Sequence, residues 1–153
     1  MSLLYVQNLI PWRKVESWKC IHCGKCCSNL DVPVTYEDEK RLKKYGDVFT
    51  RGKIGLYLKK VGKNCIFYQD GDCKIYTDRP EACRRYPFYF RYFGSDEALF
   101  TIGKTEIYVY VDLECNGVGK GGNVEEAIKE ILKSLIVGCK CSSNPTALKF
   151  INK

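Results

Sequence analysis

The chain has 153 residues, a length that fits one domain, and 45% of them are hydrophobic, which is enough for a modest core. Its 10 cysteines leave three common explanations: disulfides in a secreted protein, structural metal, or a redox or iron–sulfur site. The formal net charge of +7 counts cysteine as neutral, so thiolates bound to metal would offset part of it. No stretch approaches the roughly 18 apolar residues of a membrane span.

The N-terminus lacks the features of a secretory signal. Residues 1–11 contain no basic residue, their apolar run is short and interrupted, and no small-residue cleavage site follows. We therefore expect a cytoplasmic protein that does not enter a membrane, in which thiols stay reduced unless a metal holds them. A disulfide scaffold is the less favoured explanation of the cysteines.

The first predicted elements flank a cysteine-rich loop. Residues 1–19 form a lead-in segment with room for one strand. After the loop, Thr35-x-x-Asp38 resembles a capping box, which predicts a helix over 35–45. Residues 47–64 fit both a strand and a helix, so their state stays open.

A hairpin and a short helix are predicted next. Asp70-Gly71 is a strong turn signal between two apolar runs, and the hairpin would bring Cys65 and Cys73 near each other. A proline suited to the first helical position then predicts a helix over 80–86.

The remaining elements are a meander and a helix. Residues 88–113 are rich in aromatic and β-branched side chains, which predicts strands. An apolar stripe behind the capping residue Asn123 predicts a helix over 124–137.

These elements predict an α+β fold. We expect a small, cysteine-rich, metal-centred domain with short antiparallel strands or a hairpin and a few helices. The whole chain, 1–153, is predicted to be a single domain. Its metal-binding core would span about 20–121, followed by a C-terminal helix and tail over 123–153.

The strongest local signal is Cys20-x2-Cys23-x2-Cys26-Cys27. Two residues between ligands let a loop curl so that its sulfurs converge on one ion or cluster. The run is similar to the iron–sulfur pattern C-x2-C-x2-C-x3-C-P, except that the fourth cysteine is adjacent to the third. Because adjacent side chains usually point apart, Cys26 and Cys27 would serve two centres or join a shared one.

Four more cysteines, on the hairpin, the short helix and the end of a strand, make eight candidate thiolates. Eight are enough for one or two centres that hold zinc or an iron–sulfur cluster such as 4Fe-4S. The alternative for each is a buried free cysteine that packs as a small hydrophobe, favoured for Cys139 and Cys141 in the tail. The predicted metal ligands are Cys20, Cys23, Cys26, Cys27, Cys65, Cys73, Cys83 and Cys115.

Four stretches give the pattern a wider context: Cys20-Ile-His-Cys23-Gly24-Lys-Cys26-Cys27, Cys65-Ile-Phe, Cys73-Lys-Ile-Tyr76-Thr-Asp-Arg79-Pro80-Glu-Ala-Cys83-Arg84-Arg-Tyr86-Pro87-Phe88, and Cys115-Asn-Gly117-Val-Gly119-Lys-Gly121. With them the chain resembles the CxxCxxCC family of YkgJ-like zinc- or iron-chelating domains over about residues 20–121. The family pattern usually has a proline where this chain has Asn116. The resemblance implies metal chelation and names no substrate. A related domain in flagellin lysine methylases implies that the fold can accompany methyl transfer.

Two further signals have competing interpretations. His22, the only histidine, would be a metal ligand, a hydrogen-bond partner of a sulfur, or a solvent-facing loop residue. Gly117-x-Gly119-x-x-Gly122 matches the dinucleotide fingerprint, but the surrounding βαβ pattern is missing. A turn that lets the backbone approach the metal site is the favoured interpretation.

The arginines and aromatic residues near Cys83 also have more than one interpretation. Arg79, Arg84 and Arg85 would bind an anionic substrate or offset thiolate charge, or Arg79 would only hold its turn together. The aromatic run 88–93 is better explained by a strand with one face in the core than by stacking on nucleic-acid bases.

The segment from Lys40 to Lys63 contains nine basic residues and one acid. A solvated surface is the favoured interpretation, and a nucleic-acid or acidic protein partner is the alternative. Three functions follow. The first is a metal-binding protein with iron–sulfur clusters or zinc and a redox or methyl-transfer-related role. The second is a structural zinc module that binds such a partner through 40–63, and the third is a metal trafficking or storage protein. No carboxylate pair or nucleophile–base pair stands out, so enzymatic activity is left undecided.

Overall fold

The computed structural model describes residues 8–28 and 30–138, with the backbone alone for 136–138. Cys139 and Cys141 lie outside this range. The chain divides into two compact units. The sheet unit contains the described residues up to Ile21 and from Pro87 onward, and the cysteine unit is His22–Tyr86.

Twelve strands and three α-helices are described. The strands are β1 (Leu9–Pro11), β2 (Ser17–Trp18), β3 (Phe49–Arg51), β4 (Leu56–Leu58), β5 (Lys60–Val61), β6 (Asn64–Cys65), β7 (Tyr68–Gln69), β8 (Asp72–Cys73), β9 (Phe88–Arg91), β10 (Leu99–Ile102), β11 (Thr105–Asp112) and β12 (Gly122–Asn123). The helices are α1 (Tyr36–Leu42), α2 (Glu81–Arg85) and α3 (Val124–Gly138). Short antiparallel strand pairs with a few helices confirm the predicted α+β class. Within the described residues, no helix has the length and apolar character needed to cross a membrane.

The sheet unit is built on β11, which pairs antiparallel with β1, β9 and β10. Side chains alternate between the faces of a strand, and on β11 Ile107, Val109 and Val111 are fully buried. The tyrosines between them, Tyr108 and Tyr110, are half-buried. The predicted strands of 88–113 are present, but the predicted meander is wrong, because β9 pairs with β11 instead of with the next strand β10.

Helix α3 contributes the apolar stripe that the sequence predicts. Asn123 caps it, because its Oδ1 accepts a hydrogen bond from the Glu125 N–H at 2.8 Å. Ile128 and Leu132 lie in one buried cluster with Phe88 and Phe90 of β9. Burial of each such side chain stabilises the fold by about 1.5–3 kcal/mol.

The cysteine unit consists mainly of three consecutive hairpins: β3–β4, β5–β6 and β7–β8. The open question about residues 47–64 is thereby answered in favour of strands. The predicted Asp70-Gly71 turn is present, with φ of 53° and 77°, as a type I′ hairpin turn requires. It pairs Tyr68 with Cys73.

The predicted capping box of α1 is present. Thr35 Oγ1 accepts a hydrogen bond from the Asp38 N–H, and Asp38 Oδ2 accepts one from the Thr35 N–H, both at 3.1 Å. A 3-10 turn over Lys43–Tyr45 extends the helix, so the predicted span of 35–45 is accounted for. Helix α2 begins at Glu81 and Pro80 precedes it as N-cap, one residue later than predicted.

The core of the cysteine unit includes sulfur. Leu42, Leu58 and Phe67 are buried in one cluster together with Cys27 and Cys65. Small domains often depend on metal or disulfides because such a core is limited. Cys27 and Cys65 therefore belong to the interior that holds this unit together.

Candidate metal centre

The cysteine loop lies close against β7, and Gly24 makes this possible. Its φ is 76°, and a Cβ placed on it would lie 2.5 Å from the Tyr68 ring. The Gly24 carbonyl accepts hydrogen bonds from the Cys27 N–H at 2.9 Å and from Ser28 Oγ at 3.0 Å. The loop thus turns into a 3-10 helix over Lys25–Cys27.

That turn places both adjacent cysteines in the same neighbourhood. Cys26, Cys73 and Cys83 pack against the buried cluster that contains Cys27 and Cys65, and the Cys27 thiol faces the sulfurs of Cys26 and Cys73. Cys65 and Cys83 interact electrostatically with Cys26 and Cys73. We call these five residues the thiol cluster. It joins the loop, β6, β8 and α2, so both adjacent cysteines face one group of sulfurs.

Hydrogen bonding and burial divide the cluster into two kinds of sulfur. The hydrogen bond from Cys27 lowers the pKa of Cys26 to about 7 and that of Cys73 to about 6. The same bonds raise the pKa of Cys27, because they favour its protonated form. Burial raises the pKa of Cys65 and of Cys83. Cys26 and Cys73 are therefore the sulfurs prepared to be thiolates near neutral pH.

The other three predicted ligands lie outside the thiol cluster. Cys23 is exposed on the loop of the cysteine unit. Cys20 and Cys115 belong to the sheet unit, where Cys20 is half-buried and Cys115 is buried. Trp18 Nε1 donates a hydrogen bond to Cys115 Sγ at 3.3 Å. The role of these three as ligands stays a prediction.

The glycine-rich segment after Cys115 closes on the backbone of the sheet unit. A Cβ on Gly117 would lie 2.0 Å from the Lys19 carbonyl oxygen, and one on Gly121 would lie 2.4 Å from Lys19 Cβ. The Gly117 carbonyl accepts a hydrogen bond from the Lys19 N–H at 3.2 Å. These glycines allow close packing of two chain segments, which accounts for them without a bound nucleotide.

The donor chemistry of the thiol cluster fits a soft or borderline metal, since thiolates are preferred ligands of zinc and of iron–sulfur clusters. Among residues 8–28 and 30–138, no group of three or more Cys, His, Asp or Glu side chains is already arranged to hold an ion. Final closure of the sulfurs would thus accompany metal binding, as is usual where binding and folding are coupled.

Comparison with known families decides the classification. The model of the CxxCxxCC family, described as a putative zinc- or iron-chelating domain, matches residues 19–116. The chain belongs to the CxxCxxCC family. This match confirms the resemblance stated from the sequence and supports metal binding. It includes all eight predicted ligands.

The CxxCxxCC chain is also similar to an uncharacterised protein of Methanocaldococcus jannaschii, with 37% identity over 86 residues. The match covers 47% of this chain and 45% of that relative, so the chain spans about half the relative's length. No solved structure matches.

Sequence reasoning missed the charged residues that connect the elements of the cysteine unit. Asp38, almost fully buried, accepts hydrogen bonds at 3.2 Å from the Glu81 N–H, which opens α2. Arg41 donates to Asp78 Oδ1 at 2.7 Å and to the Arg79 carbonyl oxygen at 2.8 Å. Asp38 was noticed as a cap, but nothing local indicated that it also fixes the helix that contains Cys83.

Proposed function

We propose that this protein binds zinc or iron through the thiol cluster, with Cys26, Cys27 and Cys73 at its centre. The observation that supports this most is the contact of the Cys27 thiol with two sulfurs from separate segments, the loop and the β7–β8 hairpin. Thiols from separate segments that converge in this way can bond to each other or to a metal. The membership in a chelating family favours the metal.

An iron–sulfur cluster is the form of metal that we propose first. Structural zinc generally uses two separate Cys-x2-Cys knuckles, whereas this chain has one run of three cysteines at that spacing followed by single cysteines. That run is closer to iron–sulfur patterns. A redox role would then reside in the cluster, while zinc would make the same ligands structural.

Anaerobic purification followed by iron, sulfide and zinc analysis tests both the metal binding and the proposed iron–sulfur cluster. We expect broad visible absorbance with about four irons and four sulfides per cluster. Colourless protein with stoichiometric zinc would overturn the cluster but keep the thiolate site. Reduced protein that takes up neither metal would overturn both.

Single substitutions then test the ligands. Cys73→Ser should lose most of the metal, because it removes one of the two sulfurs with a lowered pKa. Lys74→Ser, on the next residue, exposed on the same hairpin, serves as the matched control and should keep it. Full metal content in Cys73→Ser would exclude this sulfur as a ligand.

A second candidate function is binding of an acidic partner, for which we take nucleic acid as the test case. Four of the basic residues in 40–63 have acidic partners within 3 Å: Arg41 and Lys44 with Asp78, Lys59 with Asp47 and Lys60 with Asp31. Among the described residues, the side chains without an ion pair in this segment include four that are exposed: Lys43, Arg51, Lys53 and Lys63. Unpaired bases are the ones available to phosphates.

Retention on heparin and on single-stranded RNA distinguishes this function from a solvated surface. Lys53→Gln and Lys63→Gln should each lower the salt concentration of elution, since every phosphate contact adds to the salt dependence. The paired Lys59→Gln serves as the control and should elute closer to the wild type. Elution that is unchanged in all three would exclude this segment as a binding surface.

A further inference from the structure

Three side chains of the cysteine unit, His22, Tyr76 and Arg79, form what we call the Tyr76 stack. The ring centroids of His22 and Tyr76 are 4.0 Å apart with an interplanar angle of 29°. The guanidinium carbon of Arg79 lies 3.9 Å from the Tyr76 ring centroid, and Arg79 Nε donates to the Tyr76 carbonyl oxygen at 2.8 Å. Tyr76 is thus a common platform for a loop residue and an arginine.

His22 occupies an unusual backbone conformation in the cysteine loop. Its φ is 56°, in the left-handed region that residues with a side chain seldom adopt. Such a conformation persists only where surrounding contacts favour it. The stacking on Tyr76 is the contact that the structure shows for this ring, although the residue is otherwise exposed. His22 directly precedes Cys23, so the stack holds the part of the loop that contains this thiol.

Arg79 links the stack to the thiol cluster by charge. Arg79 is four positions before Cys83, and its guanidinium is held on the ring of Tyr76, which is three positions after Cys73. A centre with four thiolates carries more negative charge than a divalent ion neutralises. An arginine fixed on the segment between Cys73 and Cys83 would offset part of that excess, and guanidinium is charged at any relevant pH.

We propose that the Tyr76 stack positions the metal site, with Tyr76 seating the cysteine loop through His22 and holding the Arg79 charge beside the thiolates. This inference rests on the proposed metal binding. It assigns His22 to stacking and excludes it as a metal ligand.

Zinc affinity tests both proposed roles of the stack, the seating of the loop through His22 and the placement of the Arg79 charge. It is measured on reduced protein by competition with a chromophoric chelator. His22→Ala should weaken binding about tenfold, as the loss of an outer-shell partner does, whereas His22→Phe should stay close to the wild type because it still stacks. Arg79→Gln should weaken binding about tenfold and Arg79→Lys less, because lysine keeps the charge. Arg51→Gln, which removes an exposed charge from the β3–β4 hairpin, is the control and should change nothing.

Tryptic cleavage of the metal-free protein after Lys19 and Lys25, on either side of the loop, gives a readout without metal. His22→Ala should be cleaved faster than the wild type, and His22→Phe at the wild-type rate. If the wild type bound neither zinc nor iron, the proposed function would fail while this measurement still tested the stack. Equal loss of affinity in His22→Phe and His22→Ala would make His22 a ligand and overturn the inference. Cleavage of His22→Ala at the wild-type rate, or an Arg79→Gln affinity equal to that of Arg51→Gln, would overturn it as well.

Discussion

The cysteines differ individually in how ready they are to ionise. Cys26 and Cys73 accept hydrogen bonds from Cys27, so their negative forms are favoured, whereas burial disfavours ionisation of Cys65 and Cys83. One thiol, Cys27, links the two acidic sulfurs because its single S–H hydrogen is shared between them. A metal that enters the cluster would meet Cys26 and Cys73 first, and the protonated sulfurs would release their protons to water as they bind it.

Alkylation of the metal-free, reduced protein should reveal this order. With a pKa of about 6, Cys73 is about 90% thiolate at pH 7, whereas an ordinary thiol is only a few per cent ionised. Labelling of Cys73 by iodoacetamide should therefore rise as the pH passes 6, and that of Cys26 as it passes 7. Cys65 and Cys83 should react last. Peptide mapping by mass spectrometry gives the rates, with urea-denatured protein as the control. Uniform rates across the cluster would contradict the pattern.

Asp38 shows how one residue organises several elements. It caps α1 through Thr35 and accepts the Glu81 N–H that begins α2, the helix that contains Cys83. Arg41, one turn further along α1, binds the segment before α2 through Asp78. The two helices of the cysteine unit are therefore joined by buried polar contacts.

Asp38→Ala should lower the free energy of unfolding by about 3 kcal/mol, because it leaves the buried Glu81 N–H unsatisfied and Arg41 with one partner fewer. Thr35→Ala removes only the cap and should cost about 1 kcal/mol. Urea unfolding followed by circular dichroism measures both. Equal losses would mean that the contact with Glu81 contributes nothing beyond capping.

The glycine-rich segment is the second feature decided at the level of elements. Gly117→Ala should destabilise the sheet unit by about 2 kcal/mol, since the new Cβ would collide with the Lys19 carbonyl oxygen. Gly122→Ala is the matched control, because a Cβ there meets nothing within 4 Å. Thermal melts of both variants compare them. A Gly117→Ala variant as stable as Gly122→Ala would show that the close approach to Lys19 is not required.

At the scale of the whole molecule, the two units differ in what stabilises them. The sheet unit has an apolar core of aromatic and aliphatic side chains, including Phe88, Phe90 and Ile128. The core of the cysteine unit contains Cys27 and Cys65 beside fewer large apolar residues. Metal bound to the thiol cluster would contribute directly to the folding of this second unit.

Hydrogen exchange of loaded and chelator-treated protein tests this difference. Removal of metal should speed exchange in the hairpins and helices of residues 22–86, while β9–β11 keep most of their protection because their core contains no predicted ligand. Circular dichroism at the same metal content serves as the control for overall folding. Equal loss of protection in β11 and in the β7–β8 hairpin would contradict the separate stabilisation of the two units.

Much of the fold could be predicted because its signals are local. The capping box at Thr35, the Asp70-Gly71 turn and the apolar stripe of α3 each depend on residues within a few positions of one another, and all three are present. Residues 47–64 were ambiguous because their apolar spacing fits two periods, and antiparallel pairing of β3 with β4 decided between them. The periodicity of a segment does not say which other strand it will pair with.

For the candidate site too, some features could be predicted from the sequence and others depended on the tertiary structure. The sequence by itself determined the residue types, the spacing of the cysteines and the family, because ligand chemistry is encoded in the side chains and their local order. Only the tertiary structure decided which sulfurs meet: Cys26 and Cys27 face one cluster instead of pointing apart, and His22 stacks on Tyr76 54 positions away. The physical reason is that contacts between the loop, the hairpins and the helices depend on how the chain returns on itself, which no local segment encodes.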